Sequence, residues 1–144
     1  MNTLGNGMIL GRLLEAALLS ALVGLEREIF RKAAGVRTHI LVGMGSALAM
    51  IVSLQIGDPG RIAAQVITGI GFLGAGAIIH AQGGLVLGLT TAATIWVTAM
   101  VGLASGAGLH GAALVSTGLT LLTLLIVGKA EKDFEKRRKG DRSR

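Results

Sequence analysis

Between Gln65 and Gly128, a run of 64 residues, the chain carries no Lys, Arg, Asp or Glu. An ordinary soluble domain is about 25% charged, with its charges spread over the surface. A run this long has no soluble surface to make, so it is expected to lie in hydrocarbon. The whole chain agrees: of 144 residues 51% are hydrophobic and only 15% charged. Apolar runs broken by glycine, proline and short polar turns mark five segments, near residues 8–25, 39–56, 62–79, 85–105 and 112–127. Each approaches the roughly 20 residues that cross a bilayer core of about 30 Å. The expected fold is all-α, a polytopic membrane helix bundle with five transmembrane helices. The expected organisation is one membrane domain over 1–128 and a basic cytoplasmic tail over 129–144. The absence of cysteine excludes disulfides. The first eleven residues hold no Lys or Arg, so a cleavable signal peptide is not expected and the first segment is read as a retained helix.

The basic residues orient this scheme. Arg27, Arg31, Lys32 and Arg37 lie between segments one and two, and Lys129, Lys132, Lys136, Arg137, Arg138, Lys139, Arg142 and Arg144 lie in the tail. Five spans put both regions on one side, and excess Lys and Arg marks the cytoplasmic side. The N-terminus is therefore expected outside and the C-terminus in the cytoplasm. Glu131, Asp133, Glu135 and Asp141 interleave the basic tail, whose one aromatic residue is Phe134. That pattern suits anionic lipid headgroups and not nucleic acid.

Asp58 to His80 is read as the central helix. Gly69, Gly71, Gly74 and Gly76 would let another helix approach closely, and Ala64, Thr68, Gly71 and Ala75 make one small-residue stripe. Asp58 suits the N-cap and Pro59 the first helical position. Phe72 and Leu73 are read as knobs into a neighbouring helix. Segment two offers the row Gly45, Ala49 and Ser53, and segment four the GxxxG pair Gly102 and Gly106. The hydroxyls of Thr90, Thr91, Thr94 and Thr98 can bond neighbouring helices or their own preceding turn. Trp96 is expected to fill the bundle interior or a subunit contact, and leucine-rich segment five to face lipid. Gly69 to Gly74 matches a dinucleotide-binding glycine pattern, but no acidic residue follows until Glu131, so that reading fails. The small-residue faces exceed what five helices need for internal packing, which points to a homodimer.

Two polar clusters are expected. At the outer end, Arg12, Glu15, Asp58, Arg61 and Gln65 should collect. If the first helix starts near Met8, Glu15 lies about 10 Å deep, where a carboxylate needs a partner or water. Arg12 or Arg61 is the expected partner. The cluster reads either as structural ion pairs or as a hydrated cation site, with Glu15 and Asp58 the metal candidates. At the inner end, Glu26, Arg27, Glu28, Arg37, His39 and His80 should collect, with Arg37 expected to clamp Glu26 or Glu28 and tie helices one and two together; a docking or gating site is the alternative. His39 and His80 lack a helical spacing for metal ligation. No catalytic grouping is present, so no enzyme is expected. No resident cofactor is expected either, and the arginine beside each acid counts against a divalent-metal cage.

Five stretches in series resemble one family. They are Leu22-Val23-Gly24-Leu25-Glu26-Arg27-Glu28, Ala34-Gly35-Val36-Arg37-Thr38, Asp58-Pro59-Gly60-Arg61-Ile62-Ala63-Ala64-Gln65, Gly69 to Gly76, and Gly88-Leu89-Thr90-Thr91-Ala92-Ala93-Thr94. Together they resemble the MgtC/SapB family of bacterial inner-membrane proteins over residues 10 to 127. The resemblance implies a multi-pass protein of the bacterial inner membrane, a role in adaptation to low magnesium and, in pathogens, in virulence. It implies action as a regulator that binds other membrane proteins, ATP synthase in some members. The alternative is a small transporter or channel for Mg²⁺ or another cation. Glu26, Arg37, Asp58, Arg61 and Gln65 match the family's polar positions. Thr90 stands where an asparagine is common, and some members carry a soluble C-terminal domain that does not follow here.

Overall fold

The computed structural model describes residues 4–80 and 86–141, with the side chains of 59, 79–80 and 130–141 excepted. Five helices follow one another: α1 (Asn6–Ile29), α2 (Val36–Gln55), α3 (Pro59–Gly76), α4 (Leu89–Ala107) and α5 (His110–Asp141). A short antiparallel ribbon, with Ile79 opposite Leu87 and His80 opposite Val86, joins α3 to α4. The fold class is all-helical, as the apolar segmentation implies. Among the described residues, four helices are long and apolar enough to cross a membrane: α1, α2, α4 and the first 20 residues of α5. The fifth, α3, starts three residues before the apolar run read from sequence. Its 18 residues therefore include Arg61 as well as Gln65, which lies inside that run.

The helix boundaries have local causes. Asp58 accepts from the Arg61 N–H at 3.2 Å as the N-cap, and Pro59 holds the first helical position of α3. Gly108, at φ +79°, turns α4 into α5 in a left-handed conformation that glycine adopts without cost. Gly88, at φ +89°, does the same before α4, where a β-carbon would also collide with the Ala77 carbonyl. The helix of α5 runs on past Lys129 without a break, so the basic tail begins as its continuation. The tail's expected headgroup contacts fall on side chains outside the described residues, as do His80 and the turn through residue 84.

The centre of the bundle is α4, not α3. Thr91, Thr94, Ile95, Thr98, Ala99, Val101, Gly102, Leu103, Ser105 and Gly106 of α4 are all buried. All four other helices touch it. Its small residues make this possible. A β-carbon on Gly102 would run into the Gly43 carbonyl of α2, and one on Gly106 into the Ala47 carbonyl. Ser20 of α1 packs into the space that Gly43 leaves, and Gly24 of α1 lies against Val36 and His39. So α2 meets its neighbours through Gly43 and Ala47; Gly45, of the row read from sequence, faces open space.

The glycine-rich helix α3 lies on the flank, against α4 and α2. Ile70 and Gly74 are its buried positions among the described side chains, and Ile70 packs with Ala34, Ile95 and Ala99. Gly74 meets Ala92 of α4, whereas Gly69, Gly71 and Gly76 have none of the described residues within reach of an added β-carbon. Phe72 is 84% exposed and Leu73 53%, so neither is a knob into a neighbouring helix of this chain. Trp96 is 44% exposed and does not fill the interior. Along α5, Leu114, Leu119, Leu122 and Leu125 point outward, as a lipid-facing helix requires.

Gly102→Val should therefore destabilise the bundle by about 1–3 kcal/mol through overpacking against the α2 backbone. Gly69→Ala should be neutral or stabilising by up to about 1 kcal/mol, since it adds helix propensity and meets nothing. Unfolding of the two variants in detergent micelles, followed by circular dichroism, checks both.

Candidate functional site

Polar side chains gather at both ends of the bundle, but in pairings other than those the sequence suggests. At the end that carries the α2–α3 and α4–α5 turns, the expected single cluster divides in two. Arg61 and Asp58 pair with each other at 2.9 Å, both near the surface, on the first turn of α3. Arg12 and Glu15 instead join the α4–α5 corner. Arg12 donates to the Gly106 carbonyl at 2.7 Å. That carbonyl belongs to the last turn of α4, where backbone acceptors lack helical partners and a cation is favoured. Glu15 pairs with His110, the first residue of α5, at 2.6 Å. The carboxylate's partner is thus neither Arg12 nor Arg61. Gln65 is exposed on α3. No hydrogen bond or ion pair among the described residues joins the Glu15 group to the Asp58 group.

At the opposite end, the clamp expected from Arg37 is absent: Arg37 is exposed. Glu26 is held by its own neighbour, Arg27, whose Nε and Nη2 reach the two carboxylate oxygens, the latter at 2.7 Å. Both side chains are almost fully buried. Adjacent residues on a helix point about 100° apart, so this pair forms only because both long side chains bend toward each other. Glu28 has a different task. Its carboxylate accepts from the Val36 N–H at 2.9 Å and so caps α2, which has no cap of its own at Gly35. His39 is buried behind this group, its Nδ1 2.9 Å from the Gly35 carbonyl. Thr94 bonds back to the Thr91 carbonyl, while Thr90 is exposed on the first turn of α4.

Sequence reasoning missed two partners, Arg27 and His110. Neither leaves a helical-spacing signal. Arg27 neighbours its carboxylate in the chain, and His110 is 95 residues from Glu15. The signal available for His110 was its place in the turn at the same end as Glu15. As for a metal, no three His, Cys, Asp or Glu side chains converge among the described residues. Each of the two metal candidates, Glu15 and Asp58, already faces a basic group.

The comparisons fit this architecture. The sequence profile of the MgtC family matches residues 13–133, and the chain belongs to that family. It is 48% identical over 124 residues to an Escherichia coli K12 protein named "Putative magnesium transporter YhiD", covering 78% of this chain and 57% of that one. It is 44% identical over 120 residues to the protein MgtC of Salmonella typhimurium LT2, covering 82% of this chain and 52% of that one. An uncharacterized Haemophilus influenzae protein is 41% identical over 129 residues, 81% of this chain and 54% of its own. The chain spans about half the length of these curated relatives. No solved structure matches it.

Removing one member of the buried pair should be costly. Arg27→Ala leaves the Glu26 carboxylate buried and unpaired and should destabilise the protein by about 3–5 kcal/mol. Arg37→Ala, at an exposed position, should change stability by less than about 0.5 kcal/mol. Chemical unfolding of both variants in detergent distinguishes the observed pairing from an Arg37 clamp.

Proposed function

We propose that this chain is a multi-pass protein of the bacterial inner membrane, N-terminus outside, that regulates other membrane proteins by lateral helix association under magnesium limitation. The link to magnesium rests on the family and on the name of the Escherichia coli relative. The observation that carries the mode of action is the outward face of α3. Ala64, Thr68, Gly71 and Ala75 form a stripe of small residues, and all four are exposed. Gly69, Gly71 and Gly76 meet nothing among the described residues. Small residues let helix backbones approach closely in lipid, where packing rather than the hydrophobic effect drives association. A face that small is poorly matched to lipid tails and well matched to another helix. A second copy of the chain and a larger membrane complex both suit it; ATP synthase, which the family resemblance implies, is the first complex to test.

The second reading, a small carrier or channel for Mg²⁺ or another cation, is favoured by the same relative's name. Against it, the carboxylates at the Asp58 end are engaged with Arg61 and His110. Two measurements separate the readings. Gly71→Leu with Ala75→Leu should weaken co-purification of partners, and cross-linking of the chain to itself, by roughly tenfold, about 1.4 kcal/mol. Purified protein in liposomes should then show no Mg²⁺ flux. Flux that disappears in Asp58→Asn or Glu15→Gln would establish the carrier instead. Reporter fusions after residue 33 and after residue 141 should both report the cytoplasm; opposite sides would overturn the five-span orientation.

A further inference from the structure

Helix α3 turns its polar side away from the bundle. Successive residues of a helix point about 100° apart, so its buried positions, Ile70 and Gly74, fix which way it faces. Val66, Ile70 and Ala77 belong to the apolar cluster that joins α3 to α2 and α4. The opposite line, at alternating spacings of four and three, runs Arg61, Gln65, Thr68, Phe72 and Ala75, and all of these are exposed. The outward rows of α1 and α5 are of another kind: Leu10, Leu14 and Leu18 on the first, Leu114, Leu122 and Leu125 on the second. Those rows suit lipid tails. The outward row of α3 begins with a cation and an amide.

Gln65 decides what can cover this row. It follows Pro59 by less than two turns, about 9 Å along the helix, and so stands beside hydrocarbon once α3 is in the membrane. Thr68 donates to the Ala64 carbonyl at 3.1 Å, and Arg61 has Asp58 at 2.9 Å. The Gln65 side chain has no such partner among the described residues. A primary amide carries two donors and an acceptor, and in lipid these are met by a polar side chain of another helix.

We propose that the row is covered by the same row of a second copy of this chain, an inference that rests on lateral association through α3 and names its partner. Two copies inserted in the same direction are related by a two-fold axis along the bilayer normal, which sets each residue of α3 level with its counterpart. The row is then complementary to itself. The two Gln65 amides exchange hydrogen bonds, each donating from its NH₂ and accepting at its carbonyl. Asp58 and Arg61 are neighbours of opposite charge near the surface, so Arg61 of each copy meets Asp58 of the other as well as its own. Phe72 projects from the row, and Gly71 and Gly76 beside it meet nothing among the described residues, which leaves space for the Phe72 ring of the second copy. An unrelated partner would have to supply an amide, an ion pair and a bulky apolar group at matching levels; a second copy has all of these already.

The chain has no cysteine, so single cysteines report the interface directly. Each variant of the whole chain is placed in liposomes of phosphatidylethanolamine and phosphatidylglycerol and oxidised with copper phenanthroline. Gln65→Cys, Thr68→Cys and Phe72→Cys should form disulfide-linked dimers. Leu73→Cys, about 100° round the helix from Phe72, and Leu119→Cys on α5 should not. In the Thr68→Cys protein, adding Gln65→Leu should lower dimer formation about fivefold, the effect of one interhelical hydrogen bond, while Gln65→Asn should keep most of it. Monomer at all three positions overturns the proposal, as does equal dimer yield at Leu73→Cys and Leu119→Cys. An unchanged yield with Gln65→Leu overturns the amide pairing. A benzophenone attached to the same three cysteines in native membranes then shows which reading has failed. Adducts with other proteins but none with the chain itself remove the second copy and leave lateral association; adducts with lipid alone remove both.

Discussion

The contact between the backbones of α2 and α4 is the constraint on which the rest of the molecule depends. Gly43 faces Gly102 and Ala47 faces Gly106 so closely that no β-carbon fits on either glycine of α4. In lipid there is no gain from hiding apolar surface, so close packing of many small groups must hold the helices together. Once α2 and α4 are joined, Gly43 also accommodates Ser20, which seats α1. The flanking helices add apolar clusters to this three-helix centre. Ile70 of α3 joins Ile95 and Ala99, and Ala113 of α5 joins Leu19 and Val101.

The polar groups are arranged around that centre so that little charge meets hydrocarbon alone. Arg12 reaches back to the last turn of α4, Glu15 meets the first residue of α5, and Glu28 caps α2. Each uses a helix end, where backbone donors or acceptors are already short of partners. The Glu26–Arg27 pair differs in being almost completely buried. Such a pair gains little over an apolar replacement but is expensive to break.

Much of the fold is legible in the sequence, because a charge-free run and its interruptions decide where helices can lie. The number of helices, the cap at Asp58 and the outward leucines of α5 all follow from composition and spacing. What composition could not give is which small-residue face meets which helix. Both α3 and α4 are rich in glycine, and Gly69 and Gly102 look alike in sequence. The difference lies in what stands opposite: Gly43 faces Gly102, while none of the described residues faces Gly69. The site was legible in its residues and not in its pairings. Glu15, Glu26 and Asp58 stand out as acids beside hydrocarbon, but their partners are set by where helices end. Arg27 and His110 became partners through bends and corners that helical periodicity does not encode.

The composition of α3 also has a consequence for how the protein is made. Arg61 and Gln65 lie within its 18 residues, and it is not among the helices apolar enough to cross a membrane alone. A ribosome releases α3 before α4, at a moment when its place beside Ala92 does not yet exist. Handed to the bilayer singly, it would slide back into water. Entering the lipid together with α4, as a hairpin, would let Gly74 meet Ala92 in the same step.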